Sequence, residues 1–166
     1  EVGAELPPFK EHLKIRLIGQ TDSTIVDELG QSGLSEHLGQ LGQLEIIPHV
    51  DHKAGLKFLG QSAVLLLPLN DAPNARGILP GKMFEYLALG RPVLAIGPKG
   101  SDCEGIIRKT GAGFYCDFED KEGLKESLKK KFTNWQQEER KEANRDIEAF
   151  SRRNLAREII SISFIR

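Results

Sequence analysis

Cysteine is scarce in this chain: 166 residues hold two, Cys103 and Cys116, with no CxxC and no Cys/His spacing suited to a metal. That excludes a disulfide framework and suits a reducing compartment. Long apolar runs are also missing. The longest, Ala63 to Leu67 with Pro68 and Leu69 beyond it, falls well short of the roughly 20 residues that span a bilayer. No signal-peptide pattern is visible. There is no excess of charge, with 23 Lys and Arg against 24 Asp and Glu, a formal net charge of -1. A general nucleic-acid binder carries a basic excess, so no nucleic-acid partner is expected. GxSxG, Walker A and GxGxxG are absent, which removes the hydrolase nucleophile, the P-loop and the dinucleotide fingerprint.

What is present is an ordinary globular composition, 39% hydrophobic and 28% charged, at a length that fits one domain with its own core. Charge is uneven along it. From Lys121 to Arg166 there are 12 Lys/Arg and 8 Asp/Glu, a local +4 that leaves -5 for the remainder. A basic tail suits peripheral contact with an anionic membrane surface, such as the inner face of a cytoplasmic membrane. A solvated amphipathic helix face accounts for the same charges and is the preferred reading.

Short apolar runs alternate with helical patterns. Strands are expected at Lys14–Ile18, Leu44–Ile47, Ala63–Leu67, Pro92–Ile96 and Gly113–Cys116. Helices are expected from Asp22 or Ser23 to Gly33, after the cap Asp51 to about Leu59, from Leu79 to Leu89 with Pro80 in the first turn, and after Ser101 to about Lys109. Gly39 to Gln43 reads as a loop. Helix is expected from about 119 to 166, with a break near Phe150 and Ser151. The third strand has no polar alternation, so both of its faces should be buried. The fold class is therefore α/β, a Rossmann-like parallel sheet flanked by helices with right-handed crossovers. Such sheets bind ligands beyond the carboxyl ends of their strands, here after Gly19, Ile47, Leu67, Ile96 and Cys116.

The segment Asn70 to Gly90 follows the most apolar strand and holds the densest chemistry. Gly77 and Gly81 precede a helix, where backbone can approach a ligand and free N–H groups favour an anion such as a diphosphate. Lys82 in the first turn opposes the helix dipole, which a bound anion would explain. Met83, Phe84, Leu87 and Ala88 should share the face that packs on the sheet, leaving Lys82 and Glu85 for a cleft. A surface Lys–Glu pair worth about 0.3 kcal/mol is the alternative.

The run Gly77-Ile-Leu-Pro-Gly-Lys-Met-Phe-Glu-Tyr-Leu-Ala-Leu-Gly-Arg-Pro-Val-Leu-Ala95 resembles the donor-binding signature of group 1 (family 4) glycosyltransferases, which have the GT-B fold. Leu17-Ile-Gly-Gln20, Ile47-Pro-His-Val-Asp-His52, Gly111-Ala-Gly113 and Phe150-Ser151 align with later or earlier parts of the same C-terminal domain, in order. The resemblance implies that Glu85 accepts from the nucleotide ribose hydroxyls. It implies that backbone N–H groups around Gly77, Ile78, Leu79 and Gly81 hold the diphosphate, with Lys82 as a phosphate clamp. It places His49 and Val50 at the nucleobase and Gly19 where the nucleotide needs room. Asn74 and Arg76 would reach the sugar or phosphate, and Glu104 falls near a family glutamate of unassigned role here.

Two departures stand out. Many members carry a further glutamate where this chain has Gly77, eight positions before Glu85. The domain also usually opens with a strand and a glycine-rich turn, which these residues do not show. The chain is thus expected to be one nucleotide-sugar-binding domain lacking its first strand and its N-terminal acceptor domain, and inactive by itself. The implied function is transfer of a hexose from a nucleotide-diphosphate sugar to a glycan or lipid-linked acceptor, with retention, in polysaccharide biosynthesis. No cofactor and no metal are implied. Half of a nucleotide-sugar epimerase and a non-catalytic α/β interaction domain are the rival readings. His49 and His52 read as a loop and a cap position, Cys103 as a helix-start residue, and Phe132 with Trp135 as packing.

Overall fold

Among the described residues of the computed structural model, five four-residue strands, all pairing in parallel, make two sheets. The structure describes residues 2–20, 43–137 and 146–151, with positions 24, 27, 28, 31, 33, 38, 39, 153, 154, 157 and 160. The chain divides into two compact units, Glu1–Phe58 and Leu59–Arg166.

In the first unit, short helices α1 (Val2–Glu5) and α2 (Pro7–His12) precede β1 (Ile15–Ile18). Proline at the start of α2 sits where its missing N–H costs nothing. β1 pairs with β2 (Leu44–Ile47), and the register sets Arg16 opposite Glu45. Arg16 Nε donates to Glu45 at 2.7 Å and Lys14 Nζ lies 3.1 Å from the same oxygen. These two cations hold the Glu45 carboxyl below its usual range. Gln43 is buried, and its amide donates to the Lys10 carbonyl. Positions 24, 27, 28 and 31 are helical and Gly33 is in a turn at φ +67, as expected for a helix ending there. The caps proposed for it, Asp22 and Ser23, lie outside the described residues. Gly39 is helical, with Leu38, rather than looped; of the Gly39–Gln43 stretch, 40–42 are not described. Helix α3 (His52–Gly60) starts at the expected place, with Asp51 Oδ1 accepting from Ala54 N at 2.9 Å.

The second unit holds the main core. Its sheet has the order β3 (Leu65–Pro68), β4 (Val93–Ile96), β5 (Gly113–Cys116). The glycine at the start of β5 is required by close approach, because a Cβ there would collide with the Val93 backbone. Helix α4 (Gly81–Ala88) and helix α5 (Asp102–Thr110) supply Met83, Leu87, Cys103 and Ile107, all buried, to a cluster with Leu65, Leu67, Val93 and Ala95. Each buried Leu, Ile, Val and Met side chain contributes about 1.5–3 kcal/mol by leaving water. Ser101 caps α5 by accepting from Glu104 N, and Gly111 closes it at φ 59, in the left-handed region. Helix α6 (Lys121–Gln136) follows the cap Asp120, and a 3-10 turn at Asp146–Phe150 ends at a bend on Ser151, where the break was expected.

Three further expectations are corrected. β3 is not buried on both faces: Leu65 and Leu67 are, but Leu66 is 53% exposed. Burial alternates along β3, which is an edge strand of its sheet, with Leu66 and Pro68 exposed. α4 starts at Gly81, not Leu79, and Pro80 stands before it as an extended N-cap residue at φ -63, ψ 135. Tyr86, rather than Ala88, completes the packed face of α4, and Ala88 is exposed. Residues on a helix turn by about 100° each, which carries Ala88 well away from the Met83–Leu87 stripe. Phe132 is buried as expected, and its ring stacks on half-exposed Trp135 at 5.7 Å. Among the described residues, no helix is long and apolar enough to cross a membrane.

Candidate functional site

The three strands of the second sheet end in a row. Leu69 N donates to Ile96 O at 2.8 Å and Gly97 N to Cys116 O at 3.1 Å, so the loops leaving β3, β4 and β5 start side by side at the carboxyl edge. This is the edge at which open parallel sheets take ligands.

The loop after β3 runs from Leu69 to Pro80 and contains a 3-10 turn at Ala75–Gly77. Ala75 is buried, and the turn packs against α5. Arg76 is exposed, as are Asn74, Gly77, Ile78 and Leu79. Gly77 N and Ile78 N donate within the turn, to Asn74 O and Ala75 O at 3.2 Å each. The N–H groups of Gly81 and Lys82 make no hydrogen bond to any described residue, and no side chain caps the helix start. The first turn of α4 contains no acidic residue. Lys82 and Glu85 are both exposed, without a side-chain partner among the described residues. Two open N–H groups, the positive end of the helix dipole and a first-turn lysine therefore belong to one helix start, a combination that favours an anion.

The loop after β4, Gly97 to Ser101, is bracketed closely. Tyr115 Oη donates to Pro98 O at 2.9 Å and lies 2.7 Å from Ser101 Oγ. Lys99 N donates to Asp117 Oδ2 at 2.8 Å, and Gly100 N to Glu104 Oε2 at 2.7 Å. Gly97 leaves the room this needs, since a Cβ there would come within 2.6 Å of Tyr115 Oη. Glu104 turns its other oxygen to Arg108, at 2.9 Å from Nε and 2.8 Å from the terminal nitrogen. Backbone N–H donation from Gly100 chiefly, then Arg108, holds its carboxyl below the ordinary glutamate range. Donation from Glu119 and Lys99 does the same for Asp117. Burial pushes the Tyr115 hydroxyl up. Beside this bracket lies a cavity of about 510 Å³, lined by Lys99, Glu104, Arg108, Tyr115, Asp117 and the acids at 119 and 120.

Gly19, His49 and Val50 belong to the first unit, at the carboxyl ends of β1 and β2. Gly19 N donates to Ile47 O at 3.0 Å. Its φ of +102 requires glycine, and a Cβ there would meet nothing within 4 Å. His49 is exposed and Val50 half-buried.

The second unit thus brings Asn74, Arg76, Gly77, Ile78, Leu79, Gly81, Lys82, Glu85 and Glu104 to the loops and helix starts at one sheet edge, and the first unit carries the other three. Within the first set, Gly77 and Ile78 have their N–H groups engaged, and Glu104 has both oxygens engaged. Sequence reading passed over Ser101 as more than a cap, and over Tyr115 and Asp117. The available signal was Asp117 directly after the fifth strand, one of the strand ends at which ligands bind. Among the described residues, no group of three or more His, Cys, Asp and Glu could hold a metal ion.

No family model matches the sequence, and no solved structure matches it. The chain is similar to a probable glycosyltransferase, WbjE, of Pseudomonas aeruginosa, with 27% identity over 95 residues. That stretch covers 57% of this chain and 23% of WbjE, so the chain spans less than a quarter of that relative's length where the two match.

Proposed function

We propose that this chain is the donor-binding part of a glycosyltransferase, holding a nucleotide-diphosphate sugar at the carboxyl edge of its parallel strands. The observation that carries the reading is the start of α4, where the N–H groups of Gly81 and Lys82 are open and the exposed Lys82 stands in the first turn. The resemblance of Gly77–Ala95 to a donor-binding signature and the similarity to WbjE support the same reading.

In this account the diphosphate sits on the α4 N-terminus. Lys82 and the helix dipole stabilise the charge that builds on the diphosphate as the sugar departs, a contribution larger in the transition state than in the ground state. Glu85, one turn along, accepts from the ribose hydroxyls and acts as a binding group, not a proton carrier. Glu104 serves the loop after β4, since its oxygens are committed to Gly100 and Arg108. The acceptor, a glycan or lipid-linked hydroxyl, is bound by an N-terminal domain outside these residues, and the anomeric configuration is retained.

Backbone amide shifts of Gly81 and Lys82 on addition of UDP, GDP, CDP or dTDP test the placement. The reading requires both to move with one of these nucleotides. Shifts confined to other segments would remove the diphosphate from the α4 start.

A further inference from the structure

The cavity beside the loop after β4 has bonding capacity that the donor site does not use. None of its lining residues belongs to α4 or to the loop before it. Six of its seven lining side chains are charged, four acids against two cations, a net of -2. The half-buried part of the lining is fixed. The Tyr115 hydroxyl donates to Pro98 O, and the two oxygens of Glu104 accept from Gly100 N and from Arg108. Asp117 divides its oxygens between two backbones, accepting from Lys99 N at 2.8 Å and from Glu119 N at 3.1 Å. One carboxylate thereby anchors two residues whose exposed side chains line the cavity. Those side chains do not pair. Among the described residues, the Lys99 ammonium and the Glu119 carboxylate make no ion pair and no hydrogen bond, with each other or with any other group.

An open donor and an open acceptor in one cavity match a ligand that both accepts and donates. An anion satisfies Lys99 alone and meets a lining that is already net negative. A zwitterion brings its own carboxylate to the same lining. Among the described residues, no group of three or more His, Cys, Asp and Glu could hold a metal ion. A hydroxyl does both tasks, accepting from an ammonium and donating to a carboxylate. The volume of about 510 Å³ lies within the roughly 300–1,000 Å³ of small-molecule sites, but the charged lining suits a polar ligand rather than an apolar one. The cavity also lies beyond the carboxyl ends of β4 and β5, where parallel sheets take ligands. We propose that this cavity is a saccharide subsite, in which Lys99 and Glu119 hold the hydroxyls of a neutral sugar unit of a glycan. The choice of a sugar among polyhydroxylated ligands rests on the glycosyltransferase reading above. The anchoring of both residues by Asp117 fixes their backbones before the sugar arrives, which lowers the cost of binding.

The test is NMR titration of the isotope-labelled chain, without nucleotide, with glucose, galactose, mannose and N-acetylglucosamine. Inorganic phosphate, glucuronate and glycine serve as the anionic and zwitterionic comparisons. Each is taken to about 100 mM, which captures millimolar affinity. At least one neutral sugar is expected to shift the backbone amides of Lys99, Tyr115 and Glu119 saturably. Lys99→Ala and Glu119→Ala should each weaken that sugar about tenfold, the scale of one lost hydrogen bond to a charged group. Both side chains are exposed and without partners among the described residues, and thermal unfolding checks that each variant is folded. No shift of these amides with any neutral sugar overturns the proposal. Tighter binding of phosphate, glucuronate or glycine than of every neutral sugar, or an unchanged affinity in either variant, overturns it as well. The donor-site reading is judged on other amides, Gly81 and Lys82, with nucleotides, so the two fail independently.

Discussion

Tyr115 Oη lies 2.7 Å from Ser101 Oγ, joining the fifth strand to the cap of the helix that follows the fourth. The same tyrosine hydroxyl donates to Pro98 O, so one phenol spans the whole loop between β4 and α5. Tyr115→Phe removes both contacts and leaves the ring. The expected cost is about 1–2 kcal/mol, of the order of one or two net hydrogen bonds, read as a lower urea midpoint at an unchanged slope.

Glycines in the second unit should divide sharply. Gly113→Ala sets a methyl against the Val93 backbone, and Gly97→Ala sets one against Tyr115 and Leu69. Both should destabilise by about 1–3 kcal/mol or more, as overpacked sites do. Gly77→Ala meets nothing within 4 Å and is not at a positive φ, so unfolding should change by less than about 0.5 kcal/mol. Chemical denaturation of the three variants side by side gives the comparison.

Acid stability should depend on Glu104 and Asp117. Both carboxyls are held below their ordinary values in the folded chain by backbone N–H donors. A folded pKa below the unfolded one means that the stabilisation is present above the unfolded value and is lost as pH falls through the folded one. Unfolding free energy should therefore decline from about pH 5 downward. Glu104→Gln should flatten that decline. A slope identical to wild type would show that the Gly100 and Arg108 contacts do not favour the ionised form.

The sulfurs make a separate prediction. Cys103 is fully buried 3.4 Å from the Met83 sulfur, and burial pushes its thiol up to about 11. Cys116 is also buried, and its thiol is raised for the same reason. Since the thiolate is the reactive form, neither should react with a thiol reagent at neutral pH while the chain is folded. Both should react in denaturant. Rapid labelling of the native chain would contradict the burial described for Cys103 in α5 or Cys116 in β5.

Much of this architecture was legible in the sequence because short apolar runs and strong punctuation coincide. Leu44–Ile47 and Gly113–Cys116 were located to the residue, and Ser101 and Asp51 mark helix starts by chemistry that acts locally. What was not legible depends on neighbours. Leu66 was read as buried from its apolar company, whereas burial alternates along β3 with what packs on each face, which no local pattern encodes. Pro80 was read into a helix whose start is set by the turn before it. The candidate anion site at Gly81 and Lys82 was visible as a glycine-led helix start. The Asp117–Lys99 link was not, because its partners are 18 positions apart and one donor is a backbone N–H.

Glu85 provides the most direct test of the donor-site account. Calorimetric titration of this chain with UDP, GDP, CDP and dTDP should show binding of at least one nucleotide in the wild type. In Glu85→Ala that binding should weaken about tenfold or more, the scale of one lost charge-assisted hydrogen bond. Binding that survives unchanged in Glu85→Ala, or a wild-type chain that binds none of the four, would contradict the account.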